Sequence, residues 1–308
     1  MTGALNGFAV IFVLVAIGYC TARFRVLGEH GVVVLARLVY SVATPALLFE
    51  MLAKTPMSSV FSPEVLVAGA AVLVIATTYF FVARLLWHKD MQSSVLGMLA
   101  ASYANSTNLG IPIAAFILGG QQYVTPLVLF QMVFYQPFAI MLLSLGKSVP
   151  GKRRLVEALR GFANPMLVGG LLGVAASATG LPRPVFLDSS LAMIGAMTVP
   201  SALLVFGMSF VAGSTSDQEK ASRRELWFAV LLKSVAYPVV AYALARFAFG
   251  LDMSAARAAT VLAALPTANM VYVLAVRHNR CQSLARDVSL ATTLVSIPVV
   301  FAIVWFFG

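Results

Sequence analysis

Residues 104–112 read ANSTNLGIP, and they lie inside a run of 56 residues, 91–146, that carries no Asp, Glu, Lys or Arg. Two asparagines, a serine, a threonine, a glycine and a proline therefore interrupt what otherwise reads as a membrane helix. A transmembrane helix needs about 20 mostly apolar residues. Irregular backbone at membrane depth survives only where it is buried in protein or lines a cavity, because each unpaired backbone group in hydrocarbon is costly. The stretch thus argues for an interrupted helix that forms something internal.

The whole chain fits that setting. Its 308 residues are 60% hydrophobic and 10% charged, with mean hydropathy +0.92. A soluble domain carries roughly 25% charged residues. The apolar runs are long and continuous, whereas a membrane barrel shows short alternating segments. The expected fold is an all-α polytopic membrane protein, one transmembrane domain over residues 1–308 with no soluble module.

Several classes of function lose support at once. The formal net charge is +10, but the positive residues sit in short loops between apolar helices. They set membrane orientation and do not point to nucleic acid. Cys20 and Cys281 provide neither a disulfide framework nor metal-ligand spacing. His30, His88 and His278 fall in loops without a partner at metal-site spacing. No nucleotide-binding motif is present. No nucleophile–base pair lies mid-span, so neither an enzyme nor a bound cofactor or metal is expected. Arg23 and Arg25 follow the first apolar run, whereas a signal peptide has its charge before it. The first helix is expected to stay, with its N-terminus outside.

Ten spans are expected, near 4–22, 33–53, 64–83, 93–118, 123–146, 164–180, 188–211, 226–248, 255–276 and 285–307. The odd-numbered loops hold 16 Lys and Arg, including Lys147, Lys152, Arg153, Arg154 and Arg160 in 147–163. The even-numbered loops hold four: Lys54, Arg183, Arg246 and Arg257. This asymmetry places the odd loops in the cytoplasm and both termini outside. The membrane of residence is expected to be a bacterial inner membrane.

A repeat organises the ten spans. VYSVATPALLF at 39–49 has a counterpart in GAMTVPSALLVFG at 195–207, with Pro45 and Pro200 separated by 155 residues. Pro112 and Pro266 are 154 apart, and Pro137 and Pro298 are 161 apart. These offsets suggest two copies of a five-helix unit, 1–146 and 164–308, joined by a cytoplasmic linker at 147–163. Five is odd, so the second copy enters the membrane inverted. Inverted repeats with Gly/Pro-interrupted helices point to a secondary transporter whose site lies at the interruptions.

Helix 9 has its own interruption, ALPTANMVY at 264–272. Proline lacks an N–H and crowds the i−4 carbonyl. Two such breaks in helices of opposite direction are placed to cross at mid-membrane. A crossing leaves half-helix N-termini with free N–H groups, which suit a carboxylate. Pro112 fits the first turn of a second half-helix. Asn105, Asn108 and Asn269 each donate and accept hydrogen bonds, and with Thr267 they either bind a solute or satisfy backbone freed by the kinks.

NSTNLGIPIAAFILGG (105–120), YSVATPALLF (40–49) and LPTANMVYVLAVRHN with ATTLVSIPVVF (265–301) resemble the auxin efflux carrier family, which includes plant PIN proteins and bacterial malonate transporters. The resemblance covers nearly the whole chain. The short 147–163 loop fits a bacterial-type member. The resemblance implies a ten-helix, two-repeat fold with crossed helices 4 and 9. It implies transport of small organic anions by an elevator-like movement, commonly as a homodimer. Substrate groups would lie at Asn105, Asn108, Gly110, Pro112, Pro266, Thr267 and Asn269.

One cation stands inside a span. Lys233 lies about eight residues into helix 8. Intramembrane charges are costly and usually functional. Lys233 either meets an anionic substrate, replaces a coupling cation, or snorkels to the surface. Glu50 and Lys54 read as an ordinary i,i+4 pair. Gln131, Gln136, Thr292, Thr293 and Ser296 are adequately explained by interhelical hydrogen bonds.

The expectation is a carrier for a small carboxylate, with membrane lipids around it and no nucleic-acid partner. The coupling ion, proton or sodium, stays open. A channel or membrane sensor on the same scaffold, and a sodium-coupled symporter, are the alternatives.

Overall fold

The computed structural model describes residues 2–28, 30–56, 62–145, 165–180, 183–211 and 222–307. The 147–163 loop and most of 212–225 lie outside these residues. Twelve helical segments follow in order: α1 Thr2–Arg23, α2 Gly31–Ala53, α3 Pro63–Leu86, α4 Met91–Ser102, α5 Ser106–Leu118, α6 Thr125–Leu143, α7 Pro165–Thr179, α8 Val185–Ala196 continuing as Thr198–Ser209, α9 Arg223–Ala248, α10 Met253–Ala263, α11 Asn269–His278 and α12 Gln282–Phe307. Among the described residues six helices, α2, α3, α6, α8, α9 and α12, are long and apolar enough to cross a membrane. Stretches within α1, α5 and α7 are apolar but shorter. Among the described residues there is no sheet, only one isolated antiparallel bridge, Ala104 with Thr267.

Four prolines within helices follow wide turns, whereas Pro298 lies inside the uninterrupted helix α12. Pro45 follows the π-type turn Val39–Ala43, and Pro112 follows Ser106–Gly110. Pro137 follows Phe130–Tyr135, and Pro238 follows Leu232–Ala236. A proline leaves the preceding turn without a donor and crowds its carbonyl, and one extra residue in the turn relieves both.

The chain folds as two compact units. Unit 1 takes Met1–Val60, Thr107–Thr125 and Phe162–Thr215, and unit 2 takes Phe61–Ser106, Pro126–Gly161 and Ser216–Gly308. Each half of the sequence contributes to both. In unit 1, α1 packs on the second part of α8, and α7 packs on α2. The helices approach backbone to backbone through glycine. A Cβ on Gly18 would overlap the carbonyl of Leu204, and one on Gly207 would overlap that of Val15. A Cβ on Gly169 would meet the Pro45 carbonyl at 2.5 Å, and one on Gly173 the Phe49 carbonyl at 2.7 Å. Small residues permit this closeness, which drives association where lipid removes the hydrophobic term. The contacts are reciprocal: Gly18 and Gly173 are 155 residues apart, and so are Phe49 and Leu204.

Unit 2 shows similar pairs at another spacing. Asp90 and Asp252, 162 residues apart, cap α4 and α10 by accepting from Ser93 N at 3.0 Å and Ala255 N at 2.8 Å. Arg84 and Arg246, also 162 apart, donate to the carbonyls of Lys89 at 2.6 Å and Leu251 at 3.2 Å. The core of this unit includes Val67, Ala245 and Ala256 packed together.

Candidate functional site

Helix α4 stops at Ser102 because Tyr103 turns extended, with ψ 102°. The next helix starts at Ser106. In the second half, α10 ends at Ala263 and α11 begins at Asn269. The two gaps run antiparallel. Asn105 N donates to Pro266 O at 2.8 Å, and Ala268 N donates to Tyr103 O at 3.0 Å. Each break thus supplies part of the backbone pairing that the other lost by leaving the helix, as buried polar groups require. The reciprocal bonds link residues 163 apart, 105 with 268 and 103 with 266.

This corrects one reading of the sequence. Pro112 does not open the half-helix after the break. It lies six residues past Ser106, behind the wide turn that accommodates it. The position facing Pro266 belongs to the Tyr103–Asn105 stretch, so the 154-residue spacing of the two prolines pairs the wrong positions. The first break needs no proline because the pairing with the second break holds it open.

Thr267 is the most heavily bonded member. It is 1% exposed. Its Oγ1 donates to Ala100 O at 2.6 Å, capping the carbonyl end of α4. Its N–H donates to Thr292 Oγ1 at 3.1 Å, and its carbonyl accepts from Ser289 Oγ at 3.3 Å. Ser289 Oγ also reaches Asn269 Oδ1 at 3.3 Å, at the start of α11. Asn105 is buried beside them.

Lys233 is fully buried, ten residues along α9 and roughly 15 Å from its start at 1.5 Å per residue. It does not snorkel. Its Nζ donates to Ala263 O at 2.7 Å and sits 4.4 Å from the centre of the Tyr237 ring. Ala263 is the last residue of α10. Among the described residues no carboxylate forms an ion pair with Lys233; those pairs are Glu50–Lys54, Lys89–Glu225, Arg183–Asp188 and Arg286–Asp287. Glu50 and Lys54 form the expected i,i+4 pair at 2.6 Å.

The polar residues of α6 and α12 support the breaks. Ser106 Oγ donates to Gln131 Oε1 at 2.5 Å, and Tyr103 OH donates to Gln136 Oε1 at 3.2 Å. Thr292 serves Thr267, while Thr293 and Ser296 bond to carbonyls of their own helix. Sequence reasoning missed four contributors: Ser102, Tyr103, Tyr135 and Ser289. Ser102 Oγ and Tyr135 OH lie 2.5 Å apart. Ser102 already donates to Met98 O, so the Tyr135 hydroxyl is the donor to Ser102. The Tyr103 and Tyr135 rings stack at 5.7 Å. The available signal was the pair of tyrosines within apolar spans, since a buried tyrosine hydroxyl usually finds a partner.

Asn105, Pro266, Thr267 and Asn269 are therefore brought together in unit 2, with Lys233 on the same half-helix end at Ala263. Asn108, Gly110 and Pro112 follow along α5, in unit 1. Gly110 and Pro112 are buried. Asn108 is half-buried, and its Oδ1 is buried with no hydrogen-bond partner among the described residues. Rotation about the last side-chain bond presents either an acceptor or two donors at that place.

Comparison with known proteins follows the same line. A family model described as "Membrane transport protein" matches residues 5–304. A protein of Rhizobium meliloti (strain 1021) named "Putative malonate transporter" is 24% identical over 300 residues, covering 96% of this chain and 92% of that protein. An "Uncharacterized transporter" of Methanothermobacter thermautotrophicus is 27% identical over 308 residues, covering 96% of this chain and 95% of that protein.

Proposed function

Because the chain belongs to the membrane transport protein family, the auxin efflux carriers, and that family consists of transporters and not enzymes, we propose that it is a secondary carrier of a small organic anion. The substrate carries one or two carboxylates, of the malonate or auxin kind. It binds where the half-helix N-termini at Ser106 and Asn269 leave the breaks of unit 2, with Asn105, Thr267 and Asn269 as polar contacts and Pro266 shaping the backbone around it; Asn108, Gly110 and Pro112 are the further contacts that the sequence pattern adds.

The observation that carries this reading is the mutual pairing of two helix breaks, Asn105 N to Pro266 O and Ala268 N to Tyr103 O. Unpaired N–H groups and a partial positive charge at each following half-helix favour a carboxylate. The name of the Rhizobium relative agrees with that class.

The same reading includes ten spans in two inverted five-helix repeats, with α4–α5 and α10–α11 as the crossed helices. The reciprocal glycine contacts and the paired Asp and Arg caps support it. The breaks lie in unit 2, and the transport cycle is elevator-like. The protein resides in a bacterial inner membrane as a homodimer, both termini outside and the 147–163 loop in the cytoplasm. The membrane potential drives a monoanion outward with about 2.3 kcal/mol per 100 mV, which makes export easy without ATP.

The test is ligand-dependent stability. A solute that binds only the folded protein raises its stability by RT ln(1 + [L]/Kd). Purified protein is heated with a panel of mono- and dicarboxylates and their amides. A carboxylate that stabilises the wild type, with no effect from its amide or on Asn108→Ala, identifies both substrate and site. Stabilisation by amides and acids alike, or by none of the acids, rejects the anion assignment.

A further inference from the structure

The carbonyl ends of the two leading half-helices are finished by different chemistry. The end of α4 is capped by a neutral group, the Thr267 hydroxyl on Ala100 O at 2.6 Å. The end of α10 is capped by an amine, Lys233 Nζ donating to Ala263 O at 2.7 Å, a group that brings a full positive charge when it is protonated. A helix C-terminus carries roughly half a negative charge. In carriers built from broken helices, such ends and the unwound carbonyls beside them are where sodium or a proton sits.

The surroundings of Lys233 have the groups of a small cation site, a carbonyl oxygen and an aromatic face. The residue is fully buried, and no carboxylate forms an ion pair with it among the described residues. The Tyr237 ring lies 4.4 Å away, a position in which the face of an aromatic ring stabilises a cation. The wide turn Leu232–Ala236, opened ahead of Pro238, carries the lysine at this point of α9. The repeat partner of Lys233 at a spacing of 162 is Ala71, which is buried and uncharged. One half of the molecule therefore has a titratable amine that the other lacks.

We propose that the Lys233 ammonium permanently fills a monovalent-cation site at the carbonyl end of α10, doing from within the chain what a dissolved coupling ion does in other carriers. The inference rests on the anion-carrier reading for its meaning, because the tethered charge answers the charge of the substrate. An ion bound by a covalent tether cannot be released to either side. The carrier then has no sodium gradient to draw on at this site. Removing the side chain to Cβ vacates a pocket with a carbonyl oxygen and an aromatic face, and a free sodium or small alkylammonium ion takes the position.

The experiment uses the full-length protein in detergent and reads thermal unfolding in sodium, potassium, methylammonium or choline chloride at equal ionic strength. Wild type is expected to melt at the same temperature in all four salts. Lys233→Ala is expected to melt roughly 5 °C or more lower in choline, the scale set by losing a buried charged hydrogen bond. Sodium or methylammonium then restores it saturably. Lys233→Met fills the space without charge or donor and is expected to be insensitive to the choice of cation. A saturable sodium-dependent rise in the wild type overturns the proposal. So does a Lys233→Ala protein that behaves like Lys233→Met in every salt, or that cannot be recovered in any of them while Lys233→Met can. None of these readouts needs a substrate. They stand or fall separately from the carboxylate panel, which tests the carrier reading itself.

Discussion

Replacing Thr267 by valine tests whether the pairing of the two breaks is held by hydrogen bonds or by shape. Valine keeps the volume and the β-branching, and removes only the hydroxyl. In the wild type that hydroxyl donates to Ala100 O at 2.6 Å. Helix-terminal carbonyls lack an intrahelical partner, and at 1% exposure no solvent replaces the lost donor at Thr267. An unsatisfied buried acceptor costs about 1–3 kcal/mol. Interhelical bonds measured within membranes average about 0.6 kcal/mol, because the unfolded chain in lipid also finds partners. We therefore expect a loss of about 1–2 kcal/mol for Thr267→Val. Thr267→Ser keeps the bond and deletes one methyl, which costs about 0.8 kcal/mol. Serine should thus be the milder change, by roughly 2–4 °C of melting temperature per kcal/mol separating the two. The assay is thermal unfolding in detergent beside uptake into proteoliposomes. Flux should survive in the serine variant and fall in the valine variant. A valine protein as stable and active as wild type, with the serine protein worse, would show that packing of the methyl matters and the hydroxyl does not.

Three further outcomes are expected. Asn105→Ala and Asn108→Ala should each abolish transport while leaving the melting temperature within roughly 3 °C of wild type, since neither side chain is the principal bond of a helix end; normal flux in either removes that residue from the site. Burial of Asp90 pushes its carboxyl upward, but hydrogen bonds from Ser93 and the charges of Arg280 and Lys89 outweigh it and hold the group below its ordinary range. A depressed pKa means the stabilisation is present above the unfolded value of about 3.9 and is lost as pH falls through the lower folded value. Asp90→Ala should accordingly cost about 0.5–2 kcal/mol at pH 7, a difference that shrinks in acid unfolding titrations; a cost independent of pH would mean the cap acts without its charge. Finally, a cysteine at Lys152, with Cys20 and Cys281 replaced by serine, should react with an impermeant thiol reagent only in inside-out vesicles; labelling from outside intact cells reverses the proposed orientation.

The spans were legible because hydropathy acts over some 20 residues, long enough for composition to speak. Six of the ten expected spans, 33–53, 64–83, 123–146, 188–211, 226–248 and 285–307, coincide with helices long and apolar enough to cross a membrane, and the interruptions at 104–112 and 264–272 correspond to breaks at 103–105 and 264–268. What the sequence misplaced was the role of proline. A proline marks where a helix is stressed, and a single extra residue in the turn relaxes that stress, as before Pro45, Pro112, Pro137 and Pro238. The first break has no proline within it. Its backbone pairs with the segment 266–268, some 160 residues away, and no local pattern reports that. Tyr135 was illegible for the same reason. Its meaning comes from Ser102, 33 residues distant, and alone it reads as a core aromatic.

On the proposed two-repeat reading, the unequal capping of the two half-helices gives the carrier a direction. Two identical repeats would give two equivalent helix ends at the breaks, and a site with no preference between them. Here Ala100 O meets a hydroxyl and Ala263 O meets the amine of Lys233, which the proposal above makes an ammonium. A buried ammonium favours a nearby carboxylate far more strongly than a hydroxyl does, because Coulomb attraction grows as the local dielectric falls. The anion should therefore sit toward α10 and the Lys233 side, with α11 supplying N–H groups from Asn269 onward. A dicarboxylate spans both half-helix N-termini and places one group near each, whereas a monocarboxylate occupies the charged side alone. Lys233→Met should then weaken monocarboxylates more than dicarboxylates in the stability panel. Equal weakening of both would place the lysine outside the substrate's reach and leave it a purely internal cap.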